Sequence, residues 1–134
     1  MVTDPPIAKK PAEFIGSTRA DLRKFPVDAR REIGNAILTA QYGGKHPSAK
    51  PLRGDKAFSG AGVVEIVEGH DGNTYRAVYT VKFEGVVYVL HVFQKKSKTG
   101  IKTPKTDMDL VKERLKRAAD HYVANYRIKR PARA

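Results

Sequence analysis

The sequence contains no cysteine and no tryptophan among its 134 residues. The absence of cysteine excludes disulfides, thiolate metal sites and cysteine nucleophiles, and it is typical of proteins that work in a reducing cytosol. No apolar run approaches the roughly 20 residues of a membrane span. The polar, proline-containing start predicts no signal peptide. We therefore expect a cytoplasmic protein that has no membrane partner.

Acidic residues are few relative to basic ones. Lysine and arginine together number 26 against 14 aspartates and glutamates, which gives a net charge of +12 and a pI near 10.0. Basic runs never exceed two residues, so the charge is predicted on a folded surface rather than on a disordered arm. A charge of this size favours an anionic partner such as nucleic acid, an anionic membrane or an acidic protein. A merely soluble surface is the simpler alternative.

Most catalytic patterns are also missing. The four histidines, His46, His70, His91 and His121, show no spacing typical of metal ligands. The glycines follow no Walker or Rossmann pattern, and no serine lies in a nucleophile elbow. Asp107 and Asp109 are better explained as residues of a helix start than as metal ligands. We expect neither a metal nor a cofactor.

The pattern that is present is that of a single α+β domain. Two N-terminal helices are predicted, a short one from Thr18 and a second that Pro26 opens. Three strands are predicted over 63–67, 75–83 and 86–94, and a last helix begins at Thr106. We expect a twisted antiparallel meander with helices on one face. An N-terminal strand can add to this sheet. This domain is predicted over residues 12–126, between a flexible lead (1–11) and a basic tail (127–134).

The turn between the last two strands sets their register. Glu84 and Gly85 predict a two-residue turn, which pairs Arg76 with Phe93. His91 and Lys95 then become diagonal neighbours of Arg76 on one face of the hairpin. We expect the helices to cover the opposite face and the Arg76 face to look outward between two lysine-rich loops.

An arginine, a histidine and several lysines near aromatic residues predict a phosphate site. The candidates are Arg76, His91 and Lys95 on the hairpin, Tyr75 beside them, Lys50 and Arg53 in the loop 43–61, and Lys96, Lys98, Lys102 and Lys105 in the loop 95–106. Simpler explanations exist for each. Arg76, taken alone, is equally well explained as a strand residue whose charged side chain is exposed to solvent. A lone histidine is more often a hydrogen-bonded core residue than a catalyst.

The stretch TYRAVYTVKFEGVVYVLHVFQKKSKTGIKTP (74–104) resembles the phage-derived killer protein family, which comprises HigB-like toxins of the RelE/ParE toxin superfamily. The segments GSTRADLRKFP and KPLRG resemble the same family, so the similarity covers about residues 11–123. The resemblance implies a RelE-like α+β toxin of a type II toxin–antitoxin system. It further implies a ribosome-dependent messenger-RNA endonuclease that inhibits translation and that a helix-turn-helix antitoxin of the HigA/Xre type neutralises. Cleavage in such proteins needs no metal, because the RNA's 2′-hydroxyl attacks the adjacent phosphate.

The resemblance also assigns roles. The arginine of the family's YR motif corresponds to Arg76, the basic position that ends the last strand to Lys95 or Lys96, and the basic loop before the sheet to Lys50 and Arg53. Either His91 or Lys50 can act as the proton acceptor, since clustered cations lower the pKa of such groups. Because the ParE branch shares the fold but acts on gyrase, the alternative is a non-catalytic basic protein that inhibits a protein or nucleic-acid target by occupancy.

Overall fold

The protein was examined as a computed structural model that describes residues 8–95 and 103–127. The elements are β1 (Ala12–Phe14), α1 (Thr18–Arg23), α2 (Val27–Gln41), β2 (Lys50–Pro51), a short 3-10 helix (Lys56–Phe58), β3 (Val63–His70), β4 (Asn73–Thr80), β5 (Val87–Lys95) and α3 (Lys105–Asn125). Most of the predicted lead and tail therefore lie outside the described residues. None of the described helices is both long enough and apolar enough to span a membrane.

The strands form one five-stranded sheet in the order β1-β5-β4-β3-β2. The meander β3-β4-β5 is antiparallel as predicted, and the N-terminal strand β1 exists and runs parallel to β5. The loop predicted over 43–61 contains β2, which adds to the outer edge of β3. The predicted α+β class is confirmed.

The turn between β3 and β4 follows from two residues. Asp71 and Gly72 have φ values of 49° and 80°, the left-handed conformation that a tight two-residue hairpin turn requires. Glycine adopts it without steric cost and aspartate tolerates it. This turn pairs Val67 with Arg76 and Glu65 with Val78.

The predicted register between β4 and β5 is correct around Arg76, but the predicted two-residue turn is wrong. Five pairs keep the predicted register: Thr74–Lys95, Tyr75–Gln94, Arg76–Phe93, Ala77–Val92 and Val78–His91. Residues 81–86 form a longer connection, and a β-bulge after Val78 sets Tyr79 opposite Val89 instead of Leu90. The bulge adds one unpaired residue, Leu90, to β5. This extra residue offsets the longer loop, so the pairs from Val78 to Thr74 keep the register that the shorter turn would have set.

Helices cover both faces of the sheet, and the prediction that they lie on one face is wrong. On one face, α2 packs on a cluster that includes Ile33, Ile37, Ala77, Tyr79 and Val89. On the other face, α3 packs on a second cluster that includes Val78, Tyr88, Leu90, Met108 and Val111. A strand that is apolar on both faces, as β5 is, requires cover on both.

We predict that Ile33→Ala lowers the free energy of unfolding by about 2–4 kcal/mol, because the Ile33 side chain is fully buried between α2 and the sheet and its truncation leaves a cavity. Leu38→Ala is the matched control, since it deletes an isomeric side chain from the same helix at a position that is 41% exposed. We expect the control to lose less than half as much stability in urea unfolding. Equal losses would contradict the assignment of the α2 core face.

Candidate functional site

Arg76 does not look outward. Its residue is 1% exposed, and it lies on the sheet face that α3 covers, so the prediction of an open Arg76 face is wrong. The Nη1 atom of Arg76 lies 3.9 Å from the Oε1 atom of Glu65, which is ion-pair distance but too long for a hydrogen bond. Among the described residues, none accepts a hydrogen bond from its Nε or Nη2.

Glu65 connects the buried arginine to the protein surface. It lies diagonal to Arg76 on β3, directly opposite Lys50 on β2, and its Oε2 accepts a hydrogen bond from the Thr103 hydroxyl. Sequence reasoning missed Glu65, although the Asp71-Gly72 turn fixes the β3–β4 register and could have placed it beside Arg76.

A cleft of about 770 Å³ opens in front of Glu65, between β2 and the start of α3. Its lining comprises Lys50, Pro51, Leu52, Arg53, Gly54, Asp55, Glu65, Thr103, Lys105, Met108, Asp109 and Lys112. Three of the predicted site residues, Lys50, Arg53 and Lys105, are thus brought together from two distant parts of the chain. The cleft is the place in the described structure where the predicted basic residues converge.

The acidic residues of the cleft have identifiable partners. Asp55 accepts a hydrogen bond from the Ala57 backbone N–H, and the Lys112 ammonium lies 3.0 Å from its carboxylate. These two contacts, the backbone one first, lower the pKa of Asp55. Lys112 is therefore neutralised locally, whereas Lys50, Arg53 and Lys105 form no ion pair with any other described residue. Within the described ranges no three histidine, aspartate or glutamate residues converge as a metal site would require.

His91 is buried, and both of its ring nitrogens are engaged. Its Nε2 lies 2.7 Å from Asp107 Oδ1 and its Nδ1 lies 3.3 Å from Arg114 Nη1. Because a guanidinium can only donate, the Nδ1 atom accepts and the Nε2–H donates to Asp107. This is a satisfied neutral imidazole. Burial lowers the pKa of His91 even though Asp107 opposes that effect.

Arg114 fixes α3 against the sheet. Besides its contact with His91, its Nη1 donates to the Leu90 carbonyl at 3.0 Å. Its guanidinium packs so closely on Gly16 that a Cβ there would lie 3.0 Å from Nη2, and Gly16 has φ of +61°. Burial lowers the pKa of Arg114. The burial of Arg114 could not be predicted, because an arginine within an amphipathic helix is expected on the solvent-exposed face.

The remaining predicted residues divide into three groups. Tyr75 is buried on the opposite face, with its ring 4.8 Å from that of Phe25, so it has no free ring face for stacking on a base. Lys95 is half-buried, and the register places it on the Arg76 face as predicted. Lys96, Lys98 and Lys102 lie outside the described residues.

An aromatic group fixes the other end of α3. Tyr88 Oη lies 2.8 Å from His121 Nδ1, Tyr122 donates to the Glu84 carbonyl at 2.9 Å, and Tyr126 donates to the Glu13 carboxylate. Burial raises the pKa of Tyr88 to about 12, so its hydroxyl stays protonated at neutral pH. The helix is held at both ends.

The lowered pKa of His91 makes a prediction about pH. The unfolded chain binds this proton near pH 6.5, whereas the folded chain resists it until lower pH, so the His91 contribution is lost as pH falls below about 6.5. In urea unfolding between about pH 7 and pH 5, we expect wild-type protein to lose stability more steeply than His91→Gln. The same slope in both proteins would show that His91 does not remain neutral on folding.

Comparison with known proteins gives a family and one structural likeness. No curated protein sequence matches this chain. One chain of a crystal structure described as the toxin–antitoxin complex RelBE2 from Mycobacterium tuberculosis aligns at 25% identity with a TM-score of 0.37, over 70% of this chain and 100% of that one. The sequence model of the family described as phage derived protein Gp49-like (DUF891) matches residues 20–116, which include α2, the whole β3–β5 meander and the first half of α3. The chain therefore belongs to the Gp49-like family of phage-derived proteins.

Proposed function

We propose that this protein is the toxin of a type II toxin–antitoxin system and acts as a ribosome-dependent messenger-RNA endonuclease in the cytoplasm. The observation that carries the proposal is the cleft in which Lys50, Arg53 and Lys105 converge around Glu65, whose carboxylate lies 3.9 Å from the buried Arg76. The sequence resemblance to HigB-like toxins, together with membership of the Gp49-like family, supports the same function.

The proposed reaction needs no metal. The RNA's 2′-oxygen loses its proton and attacks the adjacent phosphorus, the bond from phosphorus to the 5′-oxygen breaks, and the leaving oxygen takes up a proton. The products are a cyclic 2′,3′-phosphate and a new 5′-hydroxyl end. Negative charge grows on the phosphate oxygens in the transition state, so fixed cations in a partly enclosed cleft accelerate the step.

The roles of individual residues follow from their positions. Arg76 is permanently charged and forked, so it suits two oxygens of one phosphate. Of the two candidate proton acceptors, Lys50 lines the cleft, whereas His91 would have to give up its contact with Arg114 before it could act. We therefore propose Lys50 as the acceptor and His91 as the residue that positions the start of α3. Lys95, on the same face of the hairpin as Arg76, acts on the same phosphate in the proposal. Arg53, Lys96, Lys98, Lys102 and Lys105 hold the RNA backbone.

The proposal includes a cognate antitoxin of the helix-turn-helix type. A toxin of this class is lethal unless a partner neutralises it, and a protein of net charge +12 gains association rate with an acidic or mixed-charge partner. We expect the antitoxin to bind the basic cleft or the helices beside it and so to hide the site.

The burial of Arg76 favours a second candidate function. A protein whose central arginine is covered can inhibit by occupancy alone, as a non-catalytic binder of RNA or, like the ParE branch, of gyrase. Both functions predict a basic surface and salt-sensitive binding. Only the endonuclease predicts new RNA ends.

We predict that inducing the wild-type protein in cells halts growth and creates new 5′ ends within translated messages. Lys50→Gln removes the proposed proton acceptor and should reduce cleavage by at least about a hundredfold, whereas Arg53→Gln should reduce it about tenfold, roughly the effect of losing 1.4 kcal/mol of phosphate binding. The measurement is a sequencing map of 5′ ends after induction.

Lys24→Gln is the matched control, because it removes the same charge from the exposed end of α1, away from the cleft. It should cleave as the wild type does. Growth arrest without new ends would favour inhibition by occupancy. Full cleavage by both cleft variants would contradict the location of the site.

A further inference from the structure

Arg76 has hydrogen-bonding capacity that the described protein does not use. Its residue is 1% exposed, and its Nε and Nη2 atoms have no acceptor among the described residues. Buried guanidinium N–H groups are normally satisfied, and an exception in a folded protein calls for an explanation. Two neighbouring unsatisfied donors on one planar group match two oxygens of a single oxyanion.

Glu65 stands where such an oxyanion would approach. Its carboxylate lies 3.9 Å from Arg76 Nη1, it lines the cleft, and the Thr103 hydroxyl holds its second oxygen. The Glu65 carboxylate therefore balances the charge of Arg76 but accepts no hydrogen bond from its Nε or Nη2. A phosphodiester has two non-bridging oxygens, whereas Glu65 has only one that Thr103 does not hold, so the phosphodiester matches the two donors that Glu65 leaves unused.

We propose that Glu65 is an internal stand-in for the substrate phosphate: it occupies the anion position before Arg76 in the free protein and leaves when a phosphodiester enters the cleft. The inference rests on the proposed function, in that it names the phosphate-binding step of that same site. Glu65 is a positioning residue here, since it acts on the substrate through Arg76.

The strand pairing provides a place for the displaced carboxylate. Lys50 lies directly opposite Glu65, so both side chains lie on the same face of the sheet within reach of each other. A rotation of Glu65 toward Lys50 lets its carboxylate accept a hydrogen bond from the Lys50 amino group and leaves the arginine to the phosphate. The displaced carboxylate thus keeps a hydrogen-bond donor, which lowers the cost of the displacement.

The test is RNA binding by Glu65→Gln. Glutamine keeps an oxygen that can accept from Thr103 but loses the charge that competes with phosphate. We expect it to tighten binding of a short RNA about tenfold. The RNA carries 2′-deoxy sugars, so that it cannot be cleaved, and binding is followed by fluorescence anisotropy at several salt concentrations.

Glu68→Gln is the matched control. It removes the same charge from the same strand, but Glu68 pairs with Tyr75 and so lies on the opposite face of the sheet. The control should tighten binding less than twofold, by its effect on net charge alone. An effect of Glu65→Gln no larger than that of Glu68→Gln would overturn the proposal.

A second measurement uses the wild-type protein and does not depend on the folding of Glu65→Gln. The Arg76 Nε–H signal in an NMR spectrum, assigned by its loss in Arg76→Lys, should shift when inorganic phosphate or the uncleavable RNA is added. An unchanged signal at saturating RNA would also overturn the proposal. Because neither measurement involves cleavage or ribosomes, both can succeed even if the protein proves not to be an endonuclease.

Discussion

The packing of α3 on the second face of the sheet is the constraint on which the rest of the structure depends. Without α3 the face that carries Val78, Tyr88 and Leu90 would expose a continuous apolar surface to water. With α3 in place, that face becomes a second core. The polar side chains that lie on it, Arg76 and His91, are consequently buried and must find partners there.

The two buried arginines, Arg114 and Arg76, differ in how far their hydrogen-bond donors are satisfied. Arg114 donates from its Nη1 to the His91 ring and the ring donates to Asp107, so that of the buried Arg114 nitrogens only Nε has no acceptor among the described residues. Arg76 has only a long contact with Glu65 and two unused donors. An arrangement that is complete around His91 and incomplete around Arg76 is typical of a structural site beside a functional one, because binding sites retain the unsatisfied groups that a ligand later uses.

Much of the fold could be predicted from the sequence. The limits of α2 follow from Pro26 and the Gly43-Gly44 pair. The pairing of Arg76 with Phe93 was predicted from a two-residue turn that does not form, and it holds because the β-bulge after Val78 offsets the longer loop. The cover on the second face could not be predicted from β4 alone, because Arg76 and Thr80 give that face a polar appearance. The signal was in β5, whose middle is apolar on both sides and requires a buried central position.

The candidate site, too, could be predicted only in part. Lys50, Arg53 and Lys105 converge on one cleft, although 52 residues separate the last two in the chain. Glu65 and Arg114 were missed because each is a charged residue in an amphipathic element, where the pattern favours solvent. Only three-dimensional packing distinguishes a charge that faces water from one that faces another charge.

In the proposed binding step, a phosphate group of RNA binds to Arg76 and displaces Glu65. A crystal structure of the protein with an uncleavable 2′-deoxy dinucleotide tests this most directly. The account predicts phosphate oxygens within hydrogen-bonding distance of Arg76 Nε and Nη2, with the Glu65 carboxylate turned toward Lys50. A phosphate held only by surface lysines, with Glu65 still beside Arg76, would contradict it.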